Sequence, residues 1–396
     1  MKTHSRMIFL LFLGYVIVYI DKTVMGFALL PIEKEFSLST EELGYITGIF
    51  FLSYSLFQIP AGWLNDRLGY KAMLVISLCL LGGFAFSFGV LGLSFALLIA
   101  FRFLSGMGHS GYPCSCAKAV VSNFTLEKRT FAQSILLSSA GLAMTAGPLI
   151  AVYALANFGW RGSFAGLGVM ACVIAIVIIF LVPKAQAGAR QKSTLSYRQL
   201  LKSPTVILLF IAIFCINIPS YGLMAWLPKF LVQQRGMPMD TSSYVIAIGG
   251  LGIWISSLCT GWLVGKYFQE REPMVIMVCS LLSALCIYMV YLTPSALTAS
   301  LFLFLGEVFL MGAFVTTFTL PMKRVPVENM GAAMGIINTG GTLGGFVSPI
   351  VMGYLIGSSG GYFSTFIFLS LAMVCAALAV VPLMVKRTHS DLTVTE

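Results

Sequence analysis

Charge is what this sequence has least of. Across 396 residues only 10% are Asp, Glu, Lys or Arg, and there are 14 acidic residues and 3 histidines. Soluble domains carry about 25% charged residues, so an ordinary water-exposed surface is excluded. Two of the histidines, His4 and His389, lie in polar ends, leaving His109 alone inside an apolar run. The nine cysteines form no CxxC pair. Cys114 and Cys116 stand two apart on a helical stretch and face different ways, so the cysteines read as small core residues and not as ligands or bridges. HExxH and P-loop patterns are missing as well, and neither a metal nor a cofactor is expected. Long polar segments are equally scarce, with one exception at 184–203.

What fills the chain instead is apolar sequence: 58% of residues are hydrophobic and the mean hydropathy is +0.94. A span takes about 20 residues, and with short loops the length accommodates about twelve, making an all-α membrane protein in contact with lipids. The first run, from about Met7 to Leu30, follows Lys2 and Arg6 as a signal peptide would. It has no small-residue cleavage site and continues to span length, so it reads as a retained helix. The net charge of +10 is unevenly placed. Lys34, Arg161, Lys229 and Arg235 fall in the expected outer loops, Lys22 and Arg102 within spans, and the remaining cations at the other face. That is the positive-inside bias, with both termini cytoplasmic; the basic balance reports topology and no nucleic-acid partner.

The chain repeats itself. Gly62-Trp63-Leu64 returns as Gly261-Trp262-Leu263, and Ala132 and Pro148 return as Ala333 and Pro349. The offsets agree with two six-helix bundles, 1–183 and 204–396, joined by a cytoplasmic linker at 184–203, a plan that places a site at the midplane between two halves.

Asp21 and Lys22 stand side by side deep in the first span. A charge at that depth costs about 2.5–3.5 kcal/mol on insertion scales, so it is kept where it meets a partner or a water-filled cavity. The two could neutralise each other and lock packing, or mark a binding site. Tyr15, Tyr19 and Lys22 share one helical face. Arg102 and His109 are seven residues apart, nearly two turns, and share another. His109 is either a neutral, hydrogen-bonded imidazole or a group that titrates physiologically. Glu307, a carboxylate inside a second-half span, is either a coupling site or the partner of a polar group across the bundle. Arg161 is expected to snorkel toward the headgroups.

The turn Gly62-Trp63-Leu64-Asn65-Asp66-Arg67-Leu68-Gly69-Tyr70-Lys71 resembles the signature between helices 2 and 3 of the major facilitator superfamily. Arg102 with Gly106 and Gly108 resembles its helix 4 motif, and Gly141 with Gly147-Pro148 its helix 5 motif. Several blocks look like the superfamily's anion:cation symporters: Tyr19-Ile20-Asp21-Lys22, Tyr54-Ser55-Leu56-Phe57-Gln58-Ile59-Pro60, Trp226-Leu227-Pro228-Lys229 and Asn338-Thr339-Gly340-Gly341. The resemblance covers essentially the whole chain. It implies a monomeric inner-membrane secondary transporter that takes up a small organic anion with protons by alternating access. In that picture Lys22 attracts the anion, Tyr19 and Tyr54 line the pocket, and Tyr221 and Asn338 close it from the second half. Asp21, His109 and Glu307 are the proton-carrier candidates, with Arg102 acting on them. Gly62, Asp66, Arg67 and Lys71 form the gating loop: Gly62 for close helix approach, Asp66 to bridge the bundle interface.

The sequence departs from that family in two places: it has Lys22 where Arg is usual and His109 where a carboxylate is common. An efflux or amino-acid carrier of the same fold, and a non-transporting membrane sensor, are the other readings. Gly108-His109-Ser110-Gly111 also spells the serine environment of rhomboid proteases, but no span supplies the second histidine such a serine needs as base. No enzyme is expected.

Overall fold

The computed structural model describes residues 2–124, 126–183, 200, 202–325 and 330–384. Long apolar runs with no water to satisfy their backbone fold as helices, because only then is every amide paired within its own segment. The helices are α1 (Lys2–Phe36), α2 (Thr40–Leu68), α3 (Tyr70–Leu91), α4 (Phe95–Asn123), α5 (126–158), α6 (160–181), α7 (Pro204–Lys229), α8 (Met239–Tyr267), α9 (Glu272–Leu292), α10 (Ala296–Arg324), α11 (Met330–Ser359) and α12 (Phe363–Val380). A π-helical turn, Phe230–Gln234, prolongs α7. No loop separates α5 from α6, which the sequence leads one to expect: they run on within Leu126–Leu181 and break only at Gly159, whose φ of 63° no β-carbon disturbs. The expected linker at 184–203 lies largely outside the described residues.

Tight turns set the order of the spans. Ser39 caps α2: its hydroxyl accepts from the Glu42 amide at 3.3 Å while Glu42 accepts from the Ser39 amide at 2.8 Å. Each helix reverses the last, so residue 2, the α2–α3 turn and residue 384 share one end of the molecule, called here the terminal end.

The repeat seen in sequence returns in packing. In the first half α1 packs on α5, α2 on α4, and α3 on α4 and α6; in the second, α7 packs on α11, α8 on α10, and α9 on α10 and α12. The result is two six-helix bundles. They meet along α2 with α11, α5 with α8 and α1 with α7.

Small residues allow that contact. A β-carbon on Gly48 would lie 2.8 Å from the Phe346 carbonyl, and one on Gly353 2.5 Å from the Thr40 carbonyl. These seams lie in the middle and at the end opposite the termini. There Lys229 Nζ donates to Glu33 Oε1 at 2.6 Å, and Gln233 donates to Glu33 Oε2 at 3.1 Å. Toward the terminal end the described glycines make no such contact: a β-carbon on Gly62, Gly261 or Gly335 would meet nothing within 4 Å. The close approach expected at Gly62 is therefore not made among the described residues. The outer surface is apolar all round, with Phe180, Leu297 and Leu378 among its most exposed side chains, as lipid contact requires.

Candidate functional site

Asp21 and Lys22 do not neutralise each other. Successive residues on a helix point about 100° apart, and the fold sends these two in different directions. Asp21 turns toward α4, where Arg102 donates to its Oδ2 at 3.0 Å, with both side chains 2% exposed. The guanidinium also lies over the Phe50 ring at 4.6 Å. Glycine makes this geometry possible, since a β-carbon on Gly106 would run into the Phe50 carbonyl of α2.

Lys22 points instead into the seam between the bundles. Its residue is 4% exposed, yet among the described residues its ammonium has neither a carboxylate nor a hydrogen-bond acceptor. Aromatic rings surround it: Tyr19 at 4.9 Å, Phe51 and Tyr54 at 5.5 Å, Tyr221 at 5.6 Å and Phe50 at 5.9 Å from ring centroid to Nζ. Ring quadrupoles hold a desolvated cation with about 2 kcal/mol or more, which keeps it tolerable in the absence of a counter-ion.

The cage draws on both bundles. Phe51 of α2 meets Tyr221 of α7 at 4.3 Å between centroids, and the Asn338 side chain of α11 lies close enough to act on the Tyr54 hydroxyl of α2. Tyr15 stacks under Tyr19 at 5.9 Å and meets Tyr112 edge-on at 5.3 Å, so α1 presents its tyrosines to the seam from a fixed backing. His109 adjoins this group. Its ring meets Tyr54 edge-on at 4.5 Å and Phe50 at 5.4 Å, and its Nδ1 has no hydrogen-bond partner among the described residues. Lys22 and Arg102 both lie close enough to act on it electrostatically.

The structure thus brings Tyr19, Asp21, Lys22, Tyr54, Arg102, His109, Tyr221 and Asn338 together. Glu307 stays apart. It sits inside the second bundle among Leu223, Ile287, Val290, Phe302, Leu303 and Leu310, with Oε2 unpartnered. The partner across the bundle that the sequence allows for is therefore absent among the described residues.

The gating loop also differs from expectation. Asp66 does not bridge the bundles among the described residues; it takes a hydrogen bond at 2.9 Å from Lys118 of its own bundle. Arg67 lies over Trp63 at 3.7 Å, and Lys71 belongs to the first turn of α3. Arg161 is paired with Glu35 at 2.5 Å and stacked on Trp160, so it is a structural tie between α6 and α1 and not a free snorkelling anchor. Sequence reasoning missed Phe50 and Phe51. Their spacing before Tyr54 places all three on adjoining helical faces, but nothing local says that a cation will occupy the space between them.

Residues 11–349 match the family model of the Major Facilitator Superfamily. Among curated proteins, the chain is 26% identical to the probable sulfoacetate transporter SauU of Cupriavidus necator over 96% of this chain and 93% of that protein. It is 25% identical to the probable galactarate/D-glucarate transporter GudP of Bacillus subtilis, covering 96% and 91%, and 24% identical to the hexuronate transporter of the same organism, covering 96% and 94%. Among solved structures, a bacterial homolog of the human lysosomal transporter Spinster, in an inward-facing and occupied conformation, superimposes with a TM-score of 0.80 at 17% identity, covering 97% of this chain and 96% of that one.

Proposed function

This chain belongs to the major facilitator superfamily, and from that premise we propose that it takes up a small organic anion together with protons. It is an integral membrane transporter and not an enzyme. The observation that carries the substrate reading is the Lys22 ammonium, buried between the bundles with aromatic rings around it and no ion pair among the described residues. A retained, unbalanced intramembrane charge marks a ligand pathway, and the curated relatives named above are transporters of organic acids. The incoming acid supplies the missing charge. The Tyr19, Tyr54 and Tyr221 hydroxyls and the Asn338 amide donate to its remaining oxygens.

Charge balance gives the order of events. In the empty site Asp21 is paired with Arg102 and Lys22 has no ion pair among the described residues, so a proton on His109 would add a further positive charge. An anion on Lys22 removes that obstacle, so proton and substrate load together. A pH difference of one unit is worth about 1.36 kcal/mol, enough to drive about tenfold accumulation with one proton per substrate. In proteoliposomes with such a gradient, His109→Ala and His109→Gln should lose this accumulation while retaining substrate exchange. Accumulation in His109→Ala with its pH dependence intact would show the histidine to be structural and pass the role to Asp21 or Glu307.

Alternating access follows from the arrangement of contacts. With the positive-inside assignment, the terminal end is cytoplasmic, and the described contacts between the bundles lie in the middle and at the other end. The Glu33–Lys229 pair is part of the closure: the Lys229 side chain is 2% exposed and that of Glu33 24%. Glu33→Gln leaves the lysine unbalanced and should favour the state open at that end. Spin labels on the α1–α2 and α7–α8 loops should then show an added longer distance. An unchanged distance distribution would remove the pair from the gate.

A further inference from the structure

We infer that the Lys22 cage selects acids with a single negative charge and rejects dianions of the same skeleton, an inference that rests on the anion reading above. The argument is a census of buried charge. Among the described residues the buried basic side chains are Lys22, Arg102, His109 and Lys229. Arg102 is matched by Asp21 and Lys229 by Glu33, the latter at the closed end of the seam. Lys22 is the one ammonium or guanidinium of this set without a carboxylate.

The walls add no second charge. Phe50 and Phe51 offer only ring carbon, while Tyr19, Tyr54, Tyr221 and Asn338 offer neutral donors. Neutral donors of this kind suit hydroxyl, carbonyl or ring substituents on the far part of a substrate. A second carboxylate there would give up its hydration without gaining a cation, and a buried charge without a partner is strongly disfavoured.

His109 is the one group that could change this count. It faces Phe50 of α2 and Tyr54 of the same helix, with Lys22 on α1 and Arg102 on its own helix as the charged neighbours, the latter paired with Asp21. Its protonation would supply a second cation, so the discrimination is sharpest where imidazole is neutral and diacids are fully ionised.

The test uses matched acids that differ by one carboxylate: gluconate against glucarate, 3-hydroxybutyrate against malate, and benzoate against phthalate. Binding to the purified full chain in detergent is measured at pH 6.5 by isothermal titration calorimetry, for wild type and Lys22→Ala. The expected result is at least tenfold tighter binding of the monoacid in every pair that binds, with loss of binding in Lys22→Ala. A diacid that binds as tightly as its monoacid, and loses binding in Lys22→Ala, overturns the selectivity while leaving the anion site in place. Binding retained in Lys22→Ala, or no binding by any acid of the set, overturns the anion reading and the selectivity with it.

Discussion

Lys22→Ala should abolish substrate binding and leave the empty protein folded. Truncating one member of a buried, hydrogen-bonded charge pair costs about 2–5 kcal/mol of binding, or roughly 30-fold or more in Kd. The empty protein behaves differently, because among the described residues Lys22 makes no ion pair that its removal would break. Its removal gives up ring contacts and also relieves an unbalanced buried charge, so the melting temperature without substrate should stay near that of wild type. Ligand at about 100 times its Kd stabilises a folded protein by about 2.7 kcal/mol, and this increment should vanish in the variant. Lys22→Arg should keep part of it. A guanidinium still supplies the charge and binds carboxylate with two parallel donors, but its planar fork differs from the compact ammonium that five rings enclose. Thermal melts of the three proteins, with and without the cognate acid, decide the matter. An unchanged ligand-induced shift in Lys22→Ala would sink the assignment.

The neighbouring charge calls for the opposite outcome. Arg102→Ala should lower the melting temperature and the yield of folded protein, since it strips the buried Asp21 of its ion-pair partner. Breaking a buried pair by removing one partner costs about 3–5 kcal/mol. Removing both charges costs far less, because the pair rests on one hydrogen bond at 3.0 Å and leaves Asp21 Oδ1 and Arg102 Nε without partners. Arg102→Met combined with Asp21→Asn should therefore recover most of the lost stability. The single variant Asp21→Asn adds a net positive charge beside Lys22 and should tighten anion binding while slowing release. Melts of the singles and the double close a double-mutant cycle. Arg102→Ala melting at the wild-type temperature would mean that the pair carries no structural weight.

Lys22 and Asp21 show why these neighbours have such different expected effects. Both were visible as charges inside an apolar span, and both were candidates for one pair or one site. A helix separates adjacent residues by about 100°, so their partners are chosen by whichever helices stand on either side. That choice belongs to packing. The same holds for Phe50 and Phe51, which look like core residues of α2 until α1 and α7 bring a cation and Tyr221 against them. Asp66 makes the converse point. Its motif was legible, but its partner depends on whether the bundles are parted or joined at that end, and here it turns to Lys118 in its own bundle.

The sequence by itself determined that this is a helical membrane protein of two repeated halves with an organic-anion transporter's motifs. Span length, scarcity of charge and motif spacing are local properties, written along one chain and independent of what packs against it. Tertiary structure decided which charge is satisfied and which is left open. Asp21 met Arg102 because glycine at position 106 lets α4 close on α2, and Lys22 was left facing the seam between the bundles. Glu307 was left among apolar neighbours inside the second bundle, away from the cage. Charge satisfaction depends on distances between segments far apart in sequence, and only the assembled bundles set those distances.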